Sequence, residues 1–138
     1  MRFEILESGS KIGNRKLLGL ALFEGFGARD LDPLPSSLAL LVNMVIPREH
    51  FNAKRGKTLV PLADGNTQCI VLAGLGKWEE VVPDDYRRAA FEIVRHAARR
   101  GATTVSLAVP GAEDRAVSRC IGEGAVLAGY RFEKYHTK

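Results

Sequence analysis

Two glycines and a lysine follow the most apolar stretch of the chain, and this pattern suggests anion binding. Glycines at the carboxyl end of a strand let backbone amides approach a phosphate closely, and the chain has Gly74-Leu75-Gly76-Lys77 at such a place. A P-loop needs serine or threonine after its lysine, however, and Trp78 stands there. We therefore keep Gly74, Gly76 and Lys77 as anion-binding candidates, with a tight turn as the simpler interpretation.

The residue types that bind metals or act as nucleophiles are scattered along the chain. His50, His96 and His136 are not at metal-ligand spacing, and neither cysteine has a ligand neighbour. No serine stands in a Gly-x-Ser-x-Gly setting. The carboxylate pairs Glu79-Glu80 and Asp84-Asp85 flank a predicted helix start, where they complement the helix dipole. The sequence thus predicts no metal site and no catalytic residue in this chain.

Arginine is concentrated in one predicted helix, where Arg88, Arg95 and Arg99 share a face. The net charge of +4 and the pI of about 9.3 weakly favour an anionic partner such as nucleic acid. Nucleic-acid binding usually adds exposed aromatic residues, whereas Tyr86 and Phe91 are better explained by packing. We favour a solvated basic face and keep nucleic acid as an alternative partner.

Length and composition indicate one globular domain. The chain has 138 residues, of which 46% are hydrophobic and 26% charged, as is ordinary for soluble domains. Cys69 and Cys120 lie in apolar segments and predict buried thiols rather than a disulfide. The N-terminus carries acidic residues that a signal peptide lacks, and the apolar segment Leu38–Ile46 is too short to span a bilayer. We expect a cytoplasmic protein without membrane association.

The first half of the chain predicts strands around a single helix. Phe3 and Ile5 indicate a half-exposed strand, and Leu17–Phe23 is an apolar run typical of a buried strand. The other predicted elements are a polar loop at Ser8–Lys16, a loop at Gly25–Pro35, a helix at Leu38–Ile46 capped by Ser36 or Ser37 and stopped by Pro47, a basic loop at His50–Lys57, and a hairpin pairing Thr58–Ala63 with Gln68–Ala73 around Asp64-Gly65-Asn66.

The second half alternates strand and helix. The predicted elements are a strand at Cys69–Leu75, a helix from an Asp84 cap to a Gly101 stop, a strand at Thr103–Val109 and a helix at Asp114–Gly129. The apolar faces of the two helices comprise Tyr86, Ala90, Ile93, Val94 and Ala97, and then Val117, Cys120, Ile121, Gly124, Leu127 and Ala128. Glycines in the last helix suggest close approach to a sheet. Such alternation predicts an α/β fold, a three-layer α/β/α sandwich with a mixed, mostly parallel sheet.

The last sixteen residues predict a connection to further chain. The final helix leads into an aromatic and basic segment, interpreted as an exit strand, with no turn or polar tail after it. We expect residues 1–132 to form the domain and residues 133–138 to begin a linker within a longer protein.

Several of these segments together resemble the N-terminal domain of the leucyl aminopeptidase, or cytosol aminopeptidase, family. The segments that carry the resemblance are Ile70–Lys77, Arg88-Ala-Ala90, Val105–Pro110, Glu123-Gly-Ala125, Tyr130-Arg-Phe132 and Lys134-Tyr135. It covers Thr58–Lys138, whereas the preceding residues fit only in element order. His136 stands where such proteins often have lysine.

The resemblance implies a macro-like α/β/α domain that contributes to assembly rather than catalysis. It also implies a hexameric parent that releases N-terminal residues, typically leucine, from peptides, with two divalent metals, zinc or manganese, in a C-terminal catalytic domain. The family's metal-binding segment Asn-Thr-Asp-Ala-Glu-Gly-Arg does not occur here, so no catalytic or metal residue carries over. The alternative is a free-standing macro-like module that binds a phosphate-bearing ligand at Gly74–Gly76, or nucleic acid through the basic helix.

Overall fold

Five strands and four α-helices are present in the computed structural model, which describes residues 2–6, 17–31, 34, 36–60 and 69–136. The strands are β1 (Arg2–Leu6), β2 (Leu17–Leu22), β3 (Thr58–Leu59), β4 (Cys69–Gly74) and β5 (Thr104–Ala108). The helices are α1 (Ala28–Leu31), α2 (Ser36–Arg48), α3 (Pro83–Arg99) and α4 (Arg115–His136), with a 3₁₀ turn at Trp78–Glu80. The predicted loop Ser8–Lys16 and the turn Asp64-Gly65-Asn66 lie outside the described residues.

One mixed sheet contains all of the described strands, in the order β1-β5-β2-β4-β3. The pairs β1–β5, β5–β2 and β2–β4 are parallel, and β3 is antiparallel to β4. Thr58 lies opposite Ala73 and Leu59 opposite Leu72, which confirms the predicted hairpin pairing. The described part of β3 is shorter than predicted and ends at Leu59.

Side chains of the central strands alternate between two buried clusters, one on each face of the sheet. Leu17 and Ala21 of β2 join the cluster that includes Ile93 of α3 and Ile121 of α4. Leu18, Leu20 and Leu22 face the other way, into a cluster with Val42 of α2. Both faces of β2 are covered, as expected of a parallel sheet with near-continuous apolar strands. The predicted three-layer α/β/α sandwich is confirmed.

Helix α3 begins and ends through identifiable hydrogen bonds. Val82 is its N-cap residue, Pro83 opens the first turn, and the Val82 amide donates to Asp85 Oδ2 at 2.9 Å. The prediction that Asp84 is the N-cap is therefore wrong: Val82 is the N-cap residue, and the carboxylate that accepts from its amide is that of Asp85. At the other end Gly101 has φ +75°, and the amides of Gly101 and Ala102 donate to Ala98 and Ala97, as in a Schellman motif.

Helix α4 differs from its prediction at its end and on its face. It continues through Gly129 to His136, so the predicted exit strand is helical. Arginine, glutamate and lysine in this stretch are good helix formers, and extending an existing helix is cheaper than starting a new element. Leu127 is 49% exposed, because at about 100° per residue it lies roughly 120° round from the buried Ile121. Ala125, not predicted, is fully buried.

Gly124 of α4 lies against α3 rather than against the sheet. A Cβ atom built on Gly124 would lie 2.1 Å from the Arg87 carbonyl oxygen. The same turn of α3 is tied to α4 at the surface by a 2.9 Å hydrogen bond from Arg87 Nε to Glu123 Oε1. The close approach that was predicted for this helix is therefore a helix–helix contact.

The segment before β3 departs from prediction in two small ways. A single helical turn, α1, falls inside the predicted loop Gly25–Pro35. Helix α2 extends from Ser36 through Pro47 to Arg48, so the proline lies inside the last turn instead of stopping the helix. The proline removes one amide donor, but the residues after it still donate back into the last turn, Glu49 to the Val45 carbonyl at 2.9 Å and Phe51 to the Ile46 carbonyl at 3.0 Å.

Candidate functional site

The turn after β4 uses its backbone amides internally. Gly74 donates to the Lys57 carbonyl at 2.8 Å, Leu75 to the Leu22 carbonyl at 2.9 Å and Gly76 to the Ala53 carbonyl at 3.0 Å. These amides are the groups that a phosphate-binding loop would direct at its ligand. Because each already has a carbonyl partner, this geometry supports the tight-turn interpretation over an anion loop at Gly74–Gly76.

The glycines are needed because another backbone segment lies on them. A Cβ atom at Gly74 would be 2.2 Å from the Lys54 carbonyl oxygen and 2.5 Å from the Ala53 carbonyl carbon. Gly76 has φ +82°, a conformation that costs glycine little and other residues more. The third candidate, Lys77, is exposed and precedes the 3₁₀ turn. The glycine pattern therefore fixes the position of residues 53–57.

Residues 49–59 form an open cleft between the end of α2 and the start of β3. The cleft has a volume of about 350 Å³ and is lined by residues 49–52, 54 and 57–59. Phe51 is 9% exposed and stacks obliquely on Phe26, with ring centroids 6.1 Å apart. The cleft thus combines a partly apolar wall with the charged side chains of the basic loop that precedes β3.

Two non-glycine residues beside this cleft have left-handed backbone. His50 has φ 55° and Ala53 has φ 61°. Such a conformation costs an L-residue on the order of 1–2 kcal/mol, and it persists only where the surrounding structure enforces it. The chain therefore turns sharply at both positions. The Phe51 amide, which donates to the Ile46 carbonyl at 3.0 Å, holds the first turn against α2, and the Gly76 amide, which donates to the Ala53 carbonyl at 3.0 Å, holds the second.

Arg55 ties the cleft segment to the start of α3. Its Nε lies 2.8 Å from Oδ1 of Asp85, whose side chain is only 4% exposed, and its Nη2 donates to the Glu80 carbonyl at 3.1 Å. The Asp85 carboxylate therefore accepts from the cap amide of α3 and from Arg55 together. This contact joins residues that are distant in sequence and gives the cleft a rigid side.

The basic face of α3 is partly neutralised. Arg88 lies 3.6 Å from Asp84, and Arg95 makes an ion pair with Glu92. Arg87 is also paired, across the helix interface with Glu123, whereas Arg99 and Arg100 are exposed at the helix end. Local ion pairing of this kind is typical of a solvated helix surface and reduces the field available to nucleic acid.

The residue types that could bind a metal or act as nucleophiles stay scattered in the part of the chain that the structure describes. Cys120 is buried and has a free thiol, as predicted. The buried Nε2 atom of His96 has no hydrogen-bond partner among the described residues, and burial lowers the pKa of His96, with Arg95 lowering it further. Across residues 2–6, 17–31, 34, 36–60 and 69–136, no three His, Cys, Asp or Glu side chains are grouped to hold a metal ion.

Helix α4 exposes large apolar side chains near the end of the described chain. Val126 is 59% exposed, Leu127 49% and Tyr130 62%, and the three are close on one side of the helix. No helix of the described chain is long and apolar enough to cross a membrane. Contiguous apolar surface of this kind marks protein contacts more often than isolated exposed residues do.

Comparisons with known proteins agree on one family. The model of the cytosol aminopeptidase family, N-terminal domain, matches residues 20–138, so the likeness begins well before Thr58. A probable cytosol aminopeptidase of Aquifex aeolicus is 32% identical over 129 residues, covering 89% of this chain and 25% of that protein. One of Alkaliphilus oremlandii is 29% identical, covering 99% of this chain and 29% of that protein.

Solved structures share the fold. The bottromycin maturation enzyme BotP matches with a TM-score of 0.63 and 21% identity, over 91% of this chain and 25% of that one. BotP in complex with Mn matches with a TM-score of 0.61 and 22% identity, over 88% and 24%. The chain spans about a quarter of the length of the proteins it matches.

The sequence analysis did not identify the residues that line the cleft as a candidate binding site. The available signal was the density of positive charge in His50–Lys57, directly before an edge strand. As for the chain as a whole, the family match over residues 20–138 and the fold together show that it belongs to the cytosol aminopeptidase family, as an N-terminal domain.

Proposed function

We propose that this chain is the non-catalytic N-terminal domain of a cytoplasmic, metal-dependent leucyl aminopeptidase and that it aids hexamer assembly. The observation that carries the proposal is a family match over residues 20–138 by a chain that covers only 25% of its Aquifex aeolicus relative. In this proposal the parent protein releases N-terminal amino acids, preferably leucine, from peptides.

The two divalent metals, zinc or manganese, belong in this proposal to a C-terminal catalytic domain. The described residues of this chain do not fit a two-metal site, because no three of their His, Cys, Asp and Glu side chains are grouped to hold a metal ion. A metal pair, where bound, polarises a scissile carbonyl and activates a water molecule. This chain's own residues would act on stability and assembly.

Residues 1–132 form the domain in this proposal and residues 133–138 begin the linker. Helix α4 runs to His136, so the linker would begin as a continuation of that helix. The exposed Val126, Leu127 and Tyr130 lie just before it and supply an apolar surface for the parent's own catalytic domain. Aromatic residues such as tyrosine are enriched at interfaces, so Tyr130 is the strongest anchor candidate of the three.

The direct test compares the full-length gene product with the 138-residue chain. We expect the full-length protein to contain the Asn-Thr-Asp-Ala-Glu-Gly-Arg segment and to hydrolyse leucine amide with zinc or manganese, losing activity on chelation. The purified 138-residue chain should release no leucine under the same conditions. Metal-dependent release of leucine by the short chain would contradict the non-catalytic assignment, and an inactive full-length protein would contradict the aminopeptidase assignment.

The proposed contact between α4 and the catalytic domain, through which this domain would aid assembly, has its own test in the full-length protein. Val126→Ser should lower the hexamer fraction in analytical ultracentrifugation or lower the midpoint of thermal unfolding, while the isolated chain unfolds as before. Arg119→Ser is the matched control, because Arg119 is also exposed on α4 but is not apolar. Equal behaviour of the two variants would count against α4 as a contact surface.

A further inference from the structure

The cleft formed by residues 49–59 has no role in the aminopeptidase proposal, yet its charges and shape point to a ligand. Lys54 and Lys57 line it and are exposed, and neither makes an ion pair with any residue that the structure describes. His50 adds a third nitrogen group, and Glu49 is the one acidic residue of the lining. The two ammonium groups thus have no described counter-ion.

A tight turn holds the two lysines close together. The Lys57 amide donates to the Lys54 carbonyl at 3.0 Å, so Lys54 and Lys57 are the first and last residues of a β-turn. Such turns bring their end Cα atoms within about 7 Å of each other. Gly56, with φ +79°, supplies the third position of the turn. Both side chains therefore start from neighbouring points beside one cleft.

The turn is also fixed in place before any ligand arrives. Gly74 donates to the Lys57 carbonyl at 2.8 Å, Gly76 donates to the Ala53 carbonyl at 3.0 Å, and Arg55 is held by the buried Asp85 at 2.8 Å. These bonds use backbone groups and the Arg55 side chain. None of them involves the ammonium group of Lys54 or of Lys57. A preorganised backbone lowers the entropic cost of ligand binding.

We propose that this cleft binds a small phosphate-bearing molecule, with the phosphate between Lys54 and Lys57 and any apolar part along Leu59. Lysine binds phosphate as a point charge with three donors, and two lysines match a doubly charged anion. Leu59 and Thr58 supply the adjoining wall in a cleft of about 350 Å³, which is the size of a small-ligand site. In this proposal the amides of Gly74 and Gly76 hold the lysine turn in place through its carbonyls and do not contact the anion.

The test uses inorganic phosphate, inorganic pyrophosphate and phenyl phosphate with the isotopically labelled chain. We expect saturable amide shifts confined to residues 49–59, and tighter binding of phenyl phosphate than of inorganic phosphate. The double variant Lys54→Gln with Lys57→Gln should weaken pyrophosphate binding by about tenfold or more, as expected when charge-assisted contacts are lost. Lys54→Arg with Lys57→Arg should keep most of the affinity.

Lys77→Gln is the matched control, because Lys77 is an exposed lysine at the neighbouring glycine turn and does not line the cleft. Its affinity for pyrophosphate should equal that of the unsubstituted chain. Equal weakening by Lys77→Gln and by the double variant would overturn the proposal, as would the absence of saturable shifts up to ~10 mM pyrophosphate. Steeply salt-dependent binding of a short DNA duplex without pyrophosphate binding would also overturn it. Unchanged circular dichroism of the variants shows that they are folded.

Discussion

Replacing Gly124 with alanine should destabilise the domain, although alanine is the better helix former. The new Cβ atom would lie 2.1 Å from the Arg87 carbonyl oxygen and 2.9 Å from its carbonyl carbon. Both atoms belong to the backbone of α3, so the clash cannot be relieved by rotating a side chain. The two helices would have to separate, and their shared packing would loosen.

The size of the effect follows from two opposing contributions. Overpacking in a closely packed interior costs about 1–3 kcal/mol, and a backbone obstacle places this site at the upper end. Alanine returns about 1 kcal/mol of helix propensity relative to glycine. We therefore expect Gly124→Ala to lower the free energy of unfolding by about 2 kcal/mol.

Gly122 provides a matched control on the same helix, because a Cβ atom there would meet nothing within 4 Å. Gly122→Ala should raise the free energy of unfolding by up to about 1 kcal/mol. The two variants should therefore differ by about 3 kcal/mol in urea unfolding followed by circular dichroism. If Gly124→Ala proves as stable as Gly122→Ala, the close contact between α3 and α4 is not what requires glycine, and the reasoning fails.

Three further predictions test other parts of the structure. Gly74→Ala should lower the free energy of unfolding by about 2 kcal/mol or more in urea titration, because its Cβ atom would lie 2.2 Å from the Lys54 carbonyl oxygen; an unchanged midpoint would contradict this. Asp85→Ala should lower the free energy of unfolding by about 2 kcal/mol, because it removes the acceptor of the cap amide and of Arg55. Asp84→Ala, at an exposed site, should lower it by about 0.5 kcal/mol or less. Thermal unfolding of the two variants measures the difference. Burial, and then Arg95, lowers the pKa of His96 below its ordinary value of 6.5, so the unfolded state binds the proton more readily and stability should decline as the pH falls from near 6.5 through the lower folded-state pKa. His96→Gln should flatten that part of the profile of unfolding free energy against pH, and a profile of unchanged slope would count against the buried imidazole as its cause.

The architecture could be predicted from sequence because its strongest signals are local. Continuous apolar runs predicted β2, β4 and β5, and the helical spacing of Ala90, Ile93, Val94 and Ala97 predicted the buried face of α3. A strand buried on both faces has a continuous apolar run, and a helix buried along one side has apolar residues at helical spacing. Each pattern is visible within a few residues. Alternating strands and helices then left few topologies to consider.

The parts that could not be predicted depend on contacts between distant segments. Asp84 and Asp85 are equivalent in sequence, and only the approach of Arg55 and the direction of the Val82 amide distinguish them. The segment around Gly74 has the glycines and lysine of a phosphate-binding loop. Its Gly74 amide, however, donates to the backbone carbonyl of Lys57, which is distant in sequence. Likewise, the aromatic and basic segment after Gly129 was interpreted as a strand, but the preceding helix continues through it.

Because α4 is one continuous helix, its length determines the orientation of any segment attached farther along it. A helix of 22 residues is about 33 Å long, against about 25 Å for the 17 residues of α3 beside it. Each residue inserted or deleted beyond Gly124 would turn everything attached farther along the helix by about 100° and shift it by about 1.5 Å. Point substitutions in this stretch can therefore be mild, whereas a one-residue change in its length would re-aim whatever follows. The spacing between Gly124 and His136 thus sets an angle as well as a distance.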